Sequence, residues 1–429
     1  MDVTLSDYTA SLEFLFARTT GTFRFGLERT RALLAELGDP HRAYPVIHIA
    51  GTNGKGSAVA TADALLRARG LRVARYTSPH LVDFRERMVV DGKPIDEESI
   101  IRFIDERMPL IERVGASFFE ATTAMAFLHF ARVGCDVALI ETGLGGRLDS
   151  TNVVDPHAAG VTSIGYDHME YLGSTLEAIS GEKAGIFKAG RPAVIGEPDP
   201  AVRGWLARDA HAAGASSVRV AYEEMTISEL SVSAHGTRFR LAALGGDQVV
   251  QTPLIGRHQA SNFAFTLALL DAAGAPFAVS LRDAAQAVSA VWLPGRFQCT
   301  GPWIFDVAHN ADGARTLAAS MKSVEHDSPV VALLCVLGDK DWRAMMDALS
   351  GSVDRFVLTD APTAPRSRAW SLTQALDYAT MQGYVASAVP DFGEALQMAE
   401  SLGATVLVTG SFHTVGDAMA RLQVSPFIG

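Results

Sequence analysis

Short apolar, β-branched runs recur through the first part of the chain, at YPVIHIAG (44–51), LRVARYT (71–77), CDVALIETG (135–143) and HAAGVTSIG (157–165). Runs of this length read as strands buried on both faces of a parallel sheet. Between them lie SAVATADALLRARG, PIDEESIIRFIDERMPLIERVG and EATTAMAFLHFARVG, each long enough for a helix and each ending at a glycine, the residue that most readily closes one. The alternation predicts an open α/β sheet.

From about 222 to 253 the pattern shortens to MTISELSVSAHGTRFRLAAL and DQVVQTPLIG, expected as antiparallel strands on a sheet margin. A helical stretch, ASNFAFTLALLDAAG, closes this unit. The segment WLPGRFQCTGPW (292–303) concentrates Pro and Gly without periodicity, the composition of an interdomain linker. Beyond it IFDVAHN, SPVVALLCVLGD, DRFVLTDA and ATVLVTGSF form a second βα series of about 130 residues. The expected architecture is two α/β domains with a cleft between them: residues 1–292, a linker at 293–298, and a smaller Rossmann-like domain at 299–429.

The 429 residues suit two or three domains, and 48% hydrophobic with 20% charged positions describes a folded chain rather than a disordered one. Thirty-seven basic against 48 acidic residues give a formal charge of -11, which disfavours nucleic acid and anionic membranes as partners. Cys135, Cys299 and Cys335 are too few and too scattered for a disulfide framework or a thiolate metal site. The N-terminal MDVTLSDYTASLEFLF is acidic where a signal peptide is basic, and no run of about 18 uncharged apolar residues occurs. A cytoplasmic monomer is the expectation.

Strand YPVIHIA runs into Gly51-Thr52-Asn53-Gly54-Lys55-Gly56-Ser57 and then into a helix. Such a turn offers backbone N–H groups and a helix N-terminus to an anion, and Lys55 adds a mobile positive charge. The first domain therefore reads as P-loop ATPase-like. The strict P-loop has glycine six residues before the lysine and Ser or Thr directly after it; Ile49 and Gly56 stand there, so this is a shortened variant.

HIAGTNGKGS is similar to the loop of the folylpolyglutamate synthase and dihydrofolate synthase family, within the Mur ligase superfamily. That superfamily's loop normally carries threonine after the lysine, and Gly56 favours the folate branch. RYTSPH, ETGLGGRLDSTN, DHMEYLG, GEKAGIF, GRHQASN, PGRFQ, FDVAHN and GSFHTV resemble further family signatures, in the family's order and over nearly the whole chain.

The resemblance implies ATP binding by Thr52, Asn53, Gly54, Lys55, Gly56, Ser57, Asn262, Arg296 and Asp306, with Mg²⁺ at two sites. Magnesium takes oxygen ligands and bridges phosphates, which suits Glu141 at a strand's carboxyl end. By resemblance the metal positions are Ser78, Glu141, His168 and Lys183, the lysine carbamylated by CO₂; Lys55, Lys183 and His168 are the catalytic set. From residue type alone, His168 reads as a loop histidine and Lys183 as a surface residue paired with Glu182. Arg87, His309 and Ser411 match positions that hold the incoming glutamate. The aromatic slot for a pteroate is expected from Arg24, Phe25, Phe118, Phe119, Glu120, Leu148 and Asp149, since flat heterocycles favour stacking surfaces.

The implied reaction is ATP-dependent addition of L-glutamate to 7,8-dihydropteroate and to folate γ-glutamates through an acyl phosphate. A monofunctional folylpolyglutamate synthase, another Mur-type amino-acid ligase and a non-catalytic nucleotide switch are the alternatives.

Overall fold

The computed structural model describes residues 7–19 and 26–427. Eight strands form the first sheet: β1 (Val46–Ala50), β2 (Val73–Tyr76), β3 (Met88–Val90), β4 (Lys93–Pro94), β5 (Val137–Glu141), β6 (Ala158–Val161), β7 (Pro192–Ile195) and β8 (Ser217–Val220). Their order is β4-β3-β2-β5-β1-β6-β7-β8, parallel from β2 to β8, with β3 and β4 antiparallel at one edge. All five residues of β1 and of β5 are buried, because helices cover both faces. Ile47 and Ile49 pack with helices Lys55–Arg67 and Arg257–Ala273, while Val46, Ala138 and Ile140 pack with helix Phe118–Val133 on the other face.

The segments expected at a sheet margin form a separate antiparallel sheet of β9 (Thr226–Ser233), β10 (Gly236–Ala243) and β11 (Gly246–Thr252). The tight turn at Leu244 and Gly245, both at positive φ, folds β11 back on β10. Phe239, Leu241 and Val250 then bury one face against the first core, so the sheet packs by its face and extends no edge. Helix Ala221–Glu224, placed directly after β8, turns the chain away from the main sheet.

The third sheet comprises β12 (Gln298–Thr300), β13 (Trp303–Phe305), β14 (Val330–Leu334), β15 (Arg355–Leu358), β16 (Ala386–Ala388) and β17 (Thr405–Thr409) in the order β12-β13-β17-β14-β15-β16. All pairs are parallel except β12 with β13. The stretch 292–303, read as lacking strand periodicity, thus ends in strand: the Gly301-Pro302 turn lets Cys299 pair with Ile304. Among the described residues no helix is long and apolar enough to cross a membrane. Loops after β1, β5 and β6 face loops after β13, β14 and β17, and the clefts lie between them.

Candidate active site

The chain leaves β1 at Ala50 and enters helix Lys55–Arg67 through a left-handed Gly54, φ 91°, where an added Cβ would meet Asn262 Oδ1 at 2.7 Å. Glycine is required there by conformation and by space. The loop is held on both sides. Thr52 Oγ1 accepts from Gly165 N at 3.0 Å, and Thr162 Oγ1 donates to the Asn53 carbonyl at 2.7 Å. Asn53 also exchanges amide hydrogen bonds with Asn310 of the C-terminal domain, at 3.4 and 3.2 Å. Ser57 is buried, and Gly56 leaves the space beside it to Leu293 and Arg296.

Two lysines converge on this loop. Lys55 Nζ donates to the carbonyls of Gly51 and Thr52 at 3.0 and 3.1 Å and lies 3.8 Å from Glu141 Oε1. Lys183 is buried and donates to the same Gly51 carbonyl at 2.8 Å. Burial, then the positive charge of Lys55, pull the Lys183 amine down from 10.5 to about 7. Its reading as a solvated partner of Glu182 is overturned, since Glu182 pairs with Arg147 at 2.7 Å. Helix Leu176–Ala184 points Lys183 inward because Ile179, Ser180 and Lys183 share its buried face.

Glu141, the last residue of β5, is buried as well. Burial raises its carboxyl, opposed by Lys55, Arg296 and the Ser78 amide. Among the described residues no group of three His, Cys, Asp or Glu side chains is gathered as a metal cluster. A buried carboxylate with its nearest cation at 3.8 Å, the Ser78 hydroxyl in the same cavity and a lysine at about 7 nonetheless fit a hard divalent ion that takes its other ligands from phosphate and water. His168, left-handed at φ 50°, begins the short helix Met169–Leu172; burial lowers its ring to about 4. Its Nε2 stands 3.4 Å from Lys340 Nζ.

Arg296 is half-buried beneath Phe412, its guanidinium 5.2 Å from the ring centroid. Asp306 does not cap the following helix, a role taken by Asn310; its carboxylate accepts from Phe297 N and Ala308 N, both at 2.9 Å, and so fastens the linker to β13. Together with residues 51–57, Asn262, Glu141 and Lys183 they line a cavity of about 580 Å³.

A second cavity of about 1410 Å³ is lined by Phe118, Phe119, Glu120, Leu148, Asp149, Arg87, His309 and Ser411. Arg87 is buried, donates from Nε to His80 Nδ1 at 2.8 Å and lies 5.1 Å from the Phe118 ring centroid. Its neighbour Glu86 is spent on the amides of Leu81, Val82 and Asp83. Phe118 belongs to the core as well as to the wall, Glu120 pairs with Arg29 at 2.9 Å, and Ser411 caps helix Phe412–Arg421 by accepting from Thr414 N at 3.0 Å. Arg24 and Phe25 lie outside the described residues.

Sequence reasoning missed Asp167 and Lys340, which form an ion pair across the domains with both side chains 7% exposed. Asp167 also meets His309 Nε2 at 3.4 Å and Asn310 Nδ2 at 3.4 Å. Burial alone would raise the Asp167 carboxyl, but His309, His168 and Lys340 hold it well below the usual range. The signal was present: Asp167 adjoins His168, and Lys340 follows β14 in a loop that corresponds to those after β13 and β17.

A phosphate-binding loop facing a second α/β domain, with an acceptor cavity alongside, defines a two-domain nucleotide-dependent ligase. Residues 49–270 match the Mur ligase middle domain and residues 295–412 the Mur ligase, glutamate ligase domain. The dihydrofolate synthase/folylpolyglutamate synthase of Mycobacterium tuberculosis is 36% identical, over 93% of this chain and 90% of the relative. The fold is similar to E. coli FolC in complex with DHPP and ADP (TM-score 0.85, 33% identity, 98% of each chain). It is equally similar to a bifunctional folylpolyglutamate synthase/dihydrofolate synthase with Mn, AMPPNP and L-glutamate bound (TM-score 0.85, 32% identity, 98% of this chain and 99% of that one). The chain belongs to the dihydrofolate synthase/folylpolyglutamate synthase family, ATP-dependent ligases of the Mur ligase type.

Proposed function

We propose that this chain joins L-glutamate to 7,8-dihydropteroate and to folate γ-glutamates, using ATP and an acyl phosphate intermediate. Residues 1–292 bind ATP and the pteroate, residues 293–298 link, and residues 299–429 complete the site. One observation carries this reading above the others. The two cavities share a wall at Ser78, Pro79, Gly143, Leu144, His168, His309 and Phe412. A nucleotide's terminal phosphate in the smaller cavity and an acceptor's carboxylate in the larger one meet there.

In this mechanism the acceptor carboxylate attacks the γ-phosphorus, the bond to the bridging oxygen breaks, and ADP leaves. Lys55 and the loop amides stabilise the growing negative charge, and Arg296 holds phosphate oxygens from the linker side. The amine of glutamate, its carboxylates held by Arg87, His309 and Ser411, then attacks the acyl carbon. A tetrahedral intermediate collapses with loss of phosphate and of the amine proton, leaving the amide. Closure of the domains over the junction keeps water from the acyl phosphate. Ser78, Glu141, His168 and a carbamylated Lys183 would hold Mg²⁺, which supplies charge neutralisation at the phosphates.

The relatives' bound DHPP, ADP, AMPPNP, Mn and L-glutamate support this assignment of ligands. The test is phosphate release with ATP, offered dihydropteroate or a folate monoglutamate with and without L-glutamate. Release that requires acceptor and glutamate together, with a product one glutamate heavier, is expected for both acceptors. Release with only one acceptor marks a monofunctional enzyme, and release indifferent to glutamate overturns the reading.

A further inference from the structure

Strand β1 is apolar except for His48, which is fully buried at the centre of the sheet. A polar ring there is costly unless it is hydrogen-bonded, and each unpartnered buried atom asks for an explanation. His48 Nε2 lies 2.9 Å from Thr151 Oγ1, while Nδ1 has no partner among the described residues. Thr151 Oγ1 in turn donates to Asp149 Oδ1 at 2.5 Å. A hydroxyl has one proton, so with that proton on Asp149 the oxygen accepts from His48. This fixes the ring as the Nε2–H tautomer, its bare Nδ1 lone pair being the unpartnered atom. Burial lowers the ring to about 3, so it stays neutral at any assay pH.

Asp149 receives three further contacts: Thr151 N at 3.0 Å, Leu144 N at 2.7 Å and the Gly143 amide. With the Thr151 hydroxyl these make four donors on a carboxylate that offers roughly four lone-pair directions, so both oxygens are fixed in place and a ligand N–H must share one of them. The carboxylate stands in the wall of the acceptor cavity. An amino-pyrimidinone edge, as carried by a pterin, offers two adjacent N–H donors, which match a carboxylate whose two oxygens are held in one orientation.

We propose that His48 and Thr151 are positioning residues for Asp149, a buried relay that aims its carboxylate at the pterin ring and sets affinity for the pterin-bearing acceptor. The proposal rests on the reading of Asp149 as an acceptor-binding residue. Neither His48 nor Thr151 lines the acceptor cavity.

The experiment measures kcat and KM for dihydropteroate and for ATP in Thr151→Val, Thr151→Ser, His48→Leu, His48→Gln and Asp149→Asn, with thermal unfolding of each. Thr151→Val is expected to raise the dihydropteroate KM about tenfold, as loss of a hydrogen bond to a charged group does, and His48→Leu, which loses a bond to a neutral hydroxyl, about fivefold, with the ATP KM and kcat unmoved. Thr151→Ser and His48→Gln, which keep the hydroxyl and a side-chain N–H, are expected to restore the KM. Should His48→Leu not fold, the Val and Ser variants of Thr151 decide alone. A raised KM in Asp149→Asn with an unchanged KM in Thr151→Val overturns the relay and keeps the reading of Asp149. An unchanged KM in Asp149→Asn overturns that reading and the relay with it. Thr151→Ser behaving like Thr151→Val also overturns the relay, because the loss then follows packing and not the hydroxyl.

Discussion

The ammonium of Lys340, carried by the C-terminal domain, is paired with the carboxylate of Asp167 on the N-terminal domain, and both side chains are 7% exposed. An ion pair out of solvent adds little over well-packed apolar groups, yet removing one partner strands the other. It therefore works as a tie between the domains.

Lys340→Met leaves Asp167 buried without its lysine, a loss of about 3–5 kcal/mol by analogy with broken buried pairs. The expected result is a larger radius of gyration in small-angle scattering and a lower kcat, with helical content unchanged. The double variant Lys340→Met/Asp167→Asn should recover part of the closed state. Because the Asp167 carboxyl is depressed in the folded protein, its contribution is present above the ordinary value of 3.8 and is lost only as pH falls below it. At neutral pH the tie holds throughout.

Lys183 carries the opposite sign. The buried amine releases its proton near 7 while an unfolded one does so near 10.5, so folding expels a proton between those values. Its destabilising effect is full below pH 7 and fades as pH rises toward 10.5. Lys183→Met is expected to abolish activity yet raise stability below pH 7 by on the order of a few kcal/mol, an advantage that vanishes at high pH. Urea unfolding across pH reads this directly.

The same shift bears on modification. A lysine near 7 is about half neutral at that pH, where an ordinary one is neutral in roughly one molecule in a few thousand, and only the neutral amine attacks CO₂. Activity in bicarbonate-depleted buffer is expected to fall and to return on adding bicarbonate, with the mass of one CO₂ gained at Lys183. A depletion that leaves activity untouched rules the modification out.

Gly143→Ala tests the acceptor wall. An added Cβ would meet the Phe119 ring, its Cε2 at 2.7 Å, so the ring must move into the cavity. Overpacking of this kind costs about 1–3 kcal/mol. The variant is expected to raise KM for pterin acceptors while leaving nucleotide affinity, measured by ADP titration, unchanged.

Glu141→Gln removes the buried carboxylate beside Lys55. Divalent-ion affinity, followed with Mn²⁺ by paramagnetic resonance in the presence of nucleotide, is expected to fall by more than the roughly 10- to 100-fold that loss of a residue behind a ligand costs. Chelation should silence the wild-type enzyme reversibly. Unaltered Mn²⁺ binding in the variant counts against Glu141 as a ligand.

Local pattern carried much of this fold. Continuous apolar runs announced β1, β5, β14 and β17, whose residues are all buried. Edge strands did not announce themselves, because β3, β4 and β16 are only two or three residues long and partly exposed. The phosphate loop was legible because its chemistry lies in consecutive residues. Lys183 was legible by family resemblance and not by residue type, since a lysine between Glu182 and Ala184 reads as surface until Gly51 is seen beside it. Asp167 with Lys340, and His48 with Thr151, join residues 173 and 103 positions apart, a separation that no periodicity encodes.

Strand β1 runs between β5 and β6; the loops that follow all three line the smaller cavity, and those after β5 and β6 line the larger one as well. Backbone ladders hold the three strands in register, so the spacing from the phosphate loop to the 143–151 turn belongs to the sheet and to no single side chain. The sheet is thus a fixed chassis and the turn an exchangeable fitting. Replacing the turn alone offers a route to a ligase that keeps its grip on ATP and couples glutamate to a different acid.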